Sequence, residues 1–133
     1  MDRLRCVLGF VVAVFLIVSS FLHSILGWRN LTARLVEARA PQELIDLLAL
    51  GWHLSGAAML TFGCILIFVF GRFLRDRSTS LRVGQLIAIF YAGFGIWALV
   101  ESRNPFFAVM FVVPGLLLLV ATTRGEKIAA PTH

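Results

Sequence analysis

Residues 47–71 read LLALGWHLSGAAMLTFGCILIFVFG, and this stretch decides the fold class. It runs for 25 residues without an Asp, Glu, Lys or Arg side chain. A helix rises about 1.5 Å per residue and the hydrocarbon core of a bilayer is about 30 Å thick, so roughly 20 such residues suffice to cross it. The stretch therefore predicts a membrane-spanning helix.

Three more stretches without these charged residues lie at residues 6–28, 83–100 and 104–123. Short connections between consecutive spans favour antiparallel neighbours. The sequence thus predicts an all-α fold, an antiparallel bundle of four transmembrane helices that forms one domain over residues 1–133. The first stretch exceeds the apolar region of a signal peptide, about 7–15 residues, and is expected to remain as a helix.

The composition agrees with a bilayer as the solvent, because 59% of the residues are hydrophobic and only 14% are charged. Soluble domains carry charge on about a quarter of their residues. No HExxH, Walker or GxSxG motif occurs and little chain remains outside the spans, so an enzyme is the less favoured interpretation. The formal charge of +5 is spread over short segments between apolar runs, which predicts contact with lipid headgroups and no nucleic-acid binding.

The distribution of arginine and lysine predicts the orientation of the bundle. Eight of them lie before the first span, between the second and third, or after the fourth, and four lie in the other two connections. Because cytoplasmic segments carry the excess of positive charge, both termini are expected in the cytoplasm. Residues 29–46 then form an outer loop, in which residues 30–39 could form a helix on the membrane surface, and residues 124–133 form a disordered cytoplasmic tail.

The ends of the helices carry their own signals. Pro41 predicts that the second helix starts before its apolar span, and Ser80 and Asn104 are expected to cap the third and fourth helices. The pair Pro114-Gly115 predicts a kink in the fourth helix.

Ionisable side chains inside membrane spans are costly, so His23 and His53 are the first candidates for function. They lie at similar depth in neighbouring helices, near the predicted outer side. Each belongs to a stripe of mostly small residues at helical spacing, which predicts that both side chains point into the bundle. The stripes are Leu16, Ser19, Ser20, His23 and Gly27 on the first helix, and His53, Gly56, Ala57, Leu60 and Cys64 on the second.

Two neutral imidazoles on facing helices are the ligand set of a b-type haem, and with a carboxylate they would suit zinc, iron or copper. Glu101, at the outer end of the third helix, could supply that carboxylate as a metal ligand, or it could pair with Arg103 or Arg29 at the rim. For the two histidines we favour the alternative of a hydrogen bond across the interface, to a serine, a backbone carbonyl or Glu101.

The three tryptophans, Trp28, Trp52 and Trp97, all fall towards the outer side. This is typical of an aromatic belt at the level of the headgroups, which is the interpretation we favour. The alternative is that Trp52 and Trp97 line a ligand cavity beside His53, since cofactor pockets are often lined by aromatic rings.

The segments His23-Ser-Ile-Leu-Gly-Trp28 and Gly51-Trp-His53, followed by Ala57-Ala-Met-Leu-Thr-Phe-Gly63, resemble small bacterial four-helix integral membrane proteins without an assigned activity. The resemblance covers mainly the first two helices. It implies a multi-pass protein of the bacterial inner membrane but no reaction, and it makes the two histidines the first residues to test.

Three functions remain open. The first is a structural or accessory subunit that packs against other membrane subunits or against copies of itself, which requires only short-looped helices with apolar outer faces. The second is a redox protein that binds haem b or a metal through His23 and His53. The third is a small transporter, which should carry polar groups through the full depth of the membrane, whereas the cytoplasmic half contains almost none. We therefore expect an accessory subunit.

Overall fold

A computed structural model describes residues 2–123, and these residues form four helices and no strand. The predicted all-α, four-helix fold is confirmed over this range, and the tail predicted at residues 124–133 lies outside it. The helices are α1 (Asp2–Phe21, a π-helical segment at Leu22–Gly27, and Trp28–Glu37), α2 (Gln42–Arg75), α3 (Arg82–Ser102) and α4 (a π-helical segment at Ala108–Val112, and Val113–Thr122).

Three of the helices are long and apolar enough to cross a membrane. They are Arg3–Glu37, Gln42–Arg75 and Arg82–Ser102, with 35, 34 and 21 residues. At about 1.5 Å per residue these lengths correspond to about 52, 51 and 31 Å. The remaining apolar helix, Ala108–Thr122, is shorter, at about 22 Å. α1 and α2 thus extend beyond their charge-free stretches, whereas α4 is shorter than the span predicted at residues 104–123.

The outer loop predicted at residues 29–46 is helical over most of its length. α1 continues through Trp28–Glu37, and α2 begins at Gln42, directly after Pro41 as expected. The segment proposed as a surface helix is therefore an extension of α1 that packs against α2. Its apolar side chains repeat at helical spacing, so Leu31 and Leu35 are half-buried while Arg34 is exposed.

The turn between α1 and α2 depends on Arg39, which has the left-handed conformation with φ 54°. The N–H of Ala40 donates to the carbonyl of Leu35 at 2.9 Å, and the N–H of Arg39 donates to the carbonyl of Val36 at 3.0 Å. This is the Schellman pattern of a helix C-terminus, in which glycine is the usual left-handed residue. A side chain in that conformation costs about 1–2 kcal/mol.

We therefore expect Arg39→Gly to raise the free energy of unfolding by about 1 kcal/mol. The matched control is Arg34→Gly, which changes another exposed arginine but within the helix, and should lower the free energy of unfolding by about 1 kcal/mol. Thermal unfolding of both variants in the same detergent measures the difference. Shifts of the same sign would contradict the conformation of Arg39.

α1 and α2 pack antiparallel along most of their length, and small residues let their backbones approach closely. A Cβ atom at Gly63 would lie 2.9 Å from the carbonyl oxygen of Ala13. Towards the other end of the pair, Gly56 adjoins the side chain of Ser24. This register brings the C-terminal half of α1 beside the first half of α2, where His23 and Trp52 meet.

α3 and α4 form the second antiparallel pair. A Cβ atom at Gly115 would lie 2.6 Å from the amide nitrogen of Ala92 and 3.0 Å from the carbonyl oxygen of Ala88. Where a kink is predicted at Pro114-Gly115, the structure has a π-helical segment at Ala108–Val112, which ends two residues before the proline. A proline has no N–H to donate and its ring crowds the preceding turn, so a wider turn accommodates it.

Two predicted capping side chains start the second pair of helices. The hydroxyl of Ser80 accepts the N–H of Arg82 at 3.3 Å, and the side-chain oxygen of Asn104 accepts the N–H of Phe106 at 3.0 Å. Each satisfies a backbone donor that the first turn of a helix leaves without an internal partner.

The two pairs join mainly through α1 and α4, and more loosely through α2 and α3. Phe62 bridges that wider gap, because the centroid of its ring lies 5.8 Å from the ring of Phe90 and 6.2 Å from the ring of Tyr91. The largest fully buried side chains of the bundle are Leu16, Leu66, Phe70, Leu118 and Thr122. The core is therefore predominantly apolar, and most polar contacts lie near the ends of the helices.

Candidate functional site

His23 is half-buried on α1 and bonds across the interface to α2. Its Nε2 lies 2.8 Å from Oγ of Ser55 and 3.2 Å from the carbonyl oxygen of Trp52. The hydroxyl of Ser55 donates to that same carbonyl at 2.7 Å. Because the hydroxyl proton is used in this way, Nε2 of His23 carries the hydrogen and donates to Ser55 and Trp52. The hydrogen-bonded alternative for His23, to a serine and a backbone carbonyl, is what the structure contains.

The side chain of Trp52 also contacts His23, in two ways. Its indole lies parallel to the imidazole of His23, with ring centroids 4.2 Å apart and 7° between the ring planes. The indole Nε1–H donates to the carbonyl of His23 at 2.8 Å. That carbonyl belongs to the π-helical segment and also accepts the N–H of Trp28, five residues further along α1. The π turn therefore helps to place a backbone acceptor where the indole of α2 reaches it.

His53 differs from the expectation that both histidines point into the bundle. Its side chain is exposed, and its imidazole packs against the indole of Trp28 with centroids 5.5 Å apart. The inward face of α2 carries Gly56 and Gly63 instead, where the backbones of α1 and α2 come closest. His53 follows Trp52 by one residue, which rotates it by about 100° around the helix, away from His23.

The two histidines and two tryptophans form one continuous set of ring contacts, here called the histidine–tryptophan cluster: His23, Trp52, Trp28 and His53. The centroids of the Trp52 and Trp28 rings are 6.4 Å apart, which links the two histidine–tryptophan pairs. Along this series two indole rings stand between the two imidazoles. The cluster joins the C-terminal half of α1 to the first half of α2.

Two other predicted site residues lie on α3, outside this cluster. Glu101 is exposed near the end of α3. Trp97 is 59% exposed, and its indole pairs with the ring of Phe94 at 5.6 Å. Among residues 2–123 no three His, Cys, Asp or Glu side chains come together in a way that could hold a metal ion.

Two members of the site were not singled out from the sequence, Ser55 as a partner of His23 and Trp28 as a partner of His53. The signal for Ser55 is its spacing from Trp52, because residues three apart on a helix share a face. Trp28 follows the π-helical segment, whose wider turn shifts the helical phase by about one residue. The period of a regular α-helix therefore does not predict where the side chain of Trp28 points.

Chemically, the site is a set of mutually satisfied hydrogen bonds and stacked rings. Hydrogen bonds between membrane helices contribute about 0.6–2 kcal/mol each, and the alternative for such groups in hydrocarbon is to remain unpaired. Ring stacking adds about 0.5–1.5 kcal/mol. The arrangement therefore fixes the register and rotation of α1 against α2 at this end.

The fold defines a class: a helical bundle whose long apolar helices are compatible with a membrane protein. Comparison with known proteins adds no closer assignment. No protein-family model matches the chain, and no significant match is found to a curated protein or to a solved structure.

Proposed function

We propose that this chain is a multi-pass protein of the bacterial inner membrane, with both termini in the cytoplasm, and that it serves as an accessory subunit of a larger membrane complex. Helix lengths, apolar outer faces and the excess of arginine at one end of the bundle support the membrane placement. The partner helix packs on the outward face of α2.

The observation that carries this proposal is the composition of that outward face. The middle of α2 exposes Ala57, Thr61 and Cys64, all small residues. The hydroxyl of Thr61 donates to the carbonyl of Ala57 at 2.8 Å, so it lies close to the helix and leaves the face shallow. Small residues at successive turns are what membrane helices use to bring a second helix close.

The other helices expose a different surface. Apart from Gly93 on α3, the exposed residues along the middle of these helices are large and apolar, as lipid tails favour: on α1 Leu4, Val7, Val11, Val14, Val18, Phe21 and Ile25, on α3 Leu86, Ile89, Phe90, Ile96 and Val100, and on α4 Val109, Val113, Leu116 and Val120. Lipid solvates these faces as well as another protein would, so they supply little reason for association. The face of α2 is the one that favours a partner.

The haem alternative has less support from the geometry. It needs both imidazoles on one iron, whereas His23 is hydrogen-bonded to Ser55, and His53 is turned towards Trp28. An optical spectrum of the gently purified protein from haem-replete cells separates the two functions. A Soret band lost in both His23→Ala and His53→Ala would support the redox protein and overturn the present order of preference.

The accessory role predicts that filling the face of α2 releases the partner. In Ala57→Leu/Cys64→Leu, two enlarged side chains should hold a partner helix away. Because overpacking costs about 1–3 kcal/mol, we expect the recovery of the co-purifying subunit to fall by about tenfold or more. The tagged chain is expressed at native level, solubilised in mild detergent, and its co-purifying polypeptides are quantified by mass spectrometry.

The matched control is Val11→Leu/Val18→Leu, which enlarges two exposed residues of α1 with the same spacing of seven. It should leave the recovery of the subunit unchanged. Equal losses in both double variants, or a native protein that is strictly monomeric, would contradict the accessory role.

A further inference from the structure

Charge is distributed unequally between the two ends of the bundle. The end where α1 and α3 begin and α2 finishes, here called the basic end, has six arginines against Asp2 and Asp76 within the described residues: Arg3, Arg5, Arg72, Arg75, Arg77 and Arg82. The opposite end has four arginines against four carboxylates, Arg29, Arg34, Arg39 and Arg103 against Glu37, Glu43, Asp46 and Glu101. The excess positive charge of the described chain therefore lies at the basic end.

Three exposed arginines lie where α2 ends and α3 begins. Arg72 and Arg75 occupy the last turn of α2, and Arg82 is the first residue of α3, with residues 76–81 between them. The guanidinium carbon of Arg72 lies 5.8 Å from the centroid of the Phe68 ring, one turn back along α2. Arg72 therefore lies over the edge of the apolar surface, where the phosphate of a membrane lipid would be.

A fourth arginine shapes the loop. The guanidinium of Arg77 lies 5.0 Å from the centroid of the Phe73 ring and donates to Sγ of buried Cys6 at 3.4 Å. These contacts tie the loop after α2 to the first turns of α1. The connection between Arg75 and Arg82 is thereby anchored to the bundle.

The acidic residue among these arginines is already bound within the loop. Both the hydroxyl and the N–H of Ser78 donate to the carboxylate of Asp76, at 2.7 Å and 2.8 Å. These two hydrogen bonds, with a smaller contribution from the charge of Arg72, lower the pKa of Asp76 below its ordinary value. Asp76 thus stabilises the turn as an anion, and its hydrogen bonds are made within the loop.

The same arginines adjoin an apolar surface. Phe68 and Leu74 on α2 and Val83 and Leu86 on α3 are exposed within about one turn of them. A soluble anion such as phosphate would use the guanidinium groups alone. A molecule that matches both features carries a phosphate on long hydrocarbon chains.

We propose that the basic end binds an anionic phospholipid, whose phosphate is held by Arg72, Arg75 and Arg82 while its acyl chains lie along the exposed faces of α2 and α3. The site would anchor the protein to the anionic inner leaflet and fix its depth there. It rests on the proposed membrane location but is independent of the accessory role, which concerns the small residues in the middle of α2 and not its last two turns.

The test measures lipid binding to the full-length protein in a neutral detergent, by native mass spectrometry during titration with phosphatidylglycerol or phosphatidylcholine of identical acyl chains. We expect phosphatidylglycerol to bind at least about tenfold more tightly than phosphatidylcholine, and this preference to be lost in Arg72→Gln/Arg75→Gln/Arg82→Gln. The control at the opposite end, Arg29→Gln/Arg34→Gln/Arg39→Gln, should keep it.

Two further measurements complete the test, a competition with inorganic phosphate and a comparison of two single variants. Inorganic phosphate at millimolar concentration should not displace phosphatidylglycerol, and displacement would identify a site for the free anion and overturn the proposal. If the triple glutamine variant does not fold, Arg75→Gln alone should weaken binding and Arg75→Lys should restore most of it. No preference between the two lipids, or equal losses at the two ends, would also overturn the proposal.

Discussion

Replacing Gly115 by leucine should lower the free energy of unfolding by about 3 kcal/mol, one of the two largest effects we expect for a single substitution. The Cβ position of Gly115 faces backbone atoms, the amide nitrogen of Ala92 at 2.6 Å and the carbonyl oxygen of Ala88 at 3.0 Å. Backbone atoms inside a helix cannot rotate away as a side chain can, so α3 and α4 would have to separate. Separation would also remove the contact between Phe111 on α4 and Tyr91 on α3.

The matched control is Gly93→Leu on the outward face of α3. A Cβ atom at Gly93 meets nothing within 4 Å, and leucine favours a helix over glycine by up to about 1 kcal/mol, so this change should be neutral or stabilising. Circular dichroism during titration with sodium dodecyl sulfate, from mild detergent micelles, gives both free energies of unfolding. If Gly115→Leu and Gly93→Leu behaved alike, the close packing of α3 on α4 would be wrong.

How much of the fold the sequence predicts depends on which physical effect sets each boundary. Four helices follow from charge-free stretches, because burying a charge in hydrocarbon is costly and a bilayer has a fixed thickness. The extension Trp28–Glu37 does not, because it alternates charged and apolar side chains and is held by packing against α2. Similarly, the π-helical segment before Pro114 shortens the regular part of α4 in a way that charge counting does not detect.

The candidate site is likewise predicted only in part. The level of His23 along the helix pair follows from the rise of a helix, which correctly puts His23 beside the Gly51-Trp52-His53 segment. The rotation of α2 about its own axis cannot be predicted in this way, because the close approach of Gly56 and Gly63 to α1 decides which face of α2 turns inward. That approach turns Trp52 towards His23 and leaves His53 outside. A stripe of small residues is therefore ambiguous, since one part can serve the bundle and another an outward surface.

Trp52→Ala should lower the free energy of unfolding by about 3 kcal/mol, because it removes three contacts of the histidine–tryptophan cluster together. The stacked ring against His23 is lost, the carbonyl of His23 loses its indole donor, and the space beside Gly27, which the indole fills, is left empty. Trp52→Phe retains a ring but not the N–H, and should cost about 1 kcal/mol.

Trp97→Ala is the control for Trp52→Ala, because it removes the same indole from an exposed position on α3 and should change stability by less than about 0.5 kcal/mol. The helical circular dichroism signal is the appropriate readout, since each variant alters tryptophan fluorescence directly. The graded order Trp52→Ala, Trp52→Phe, Trp97→Ala identifies the cluster as the element that fixes α1 against α2. A loss for Trp97→Ala as large as that for Trp52→Ala would instead indicate that all tryptophans act as interfacial anchors, and that the cluster adds no specific stability.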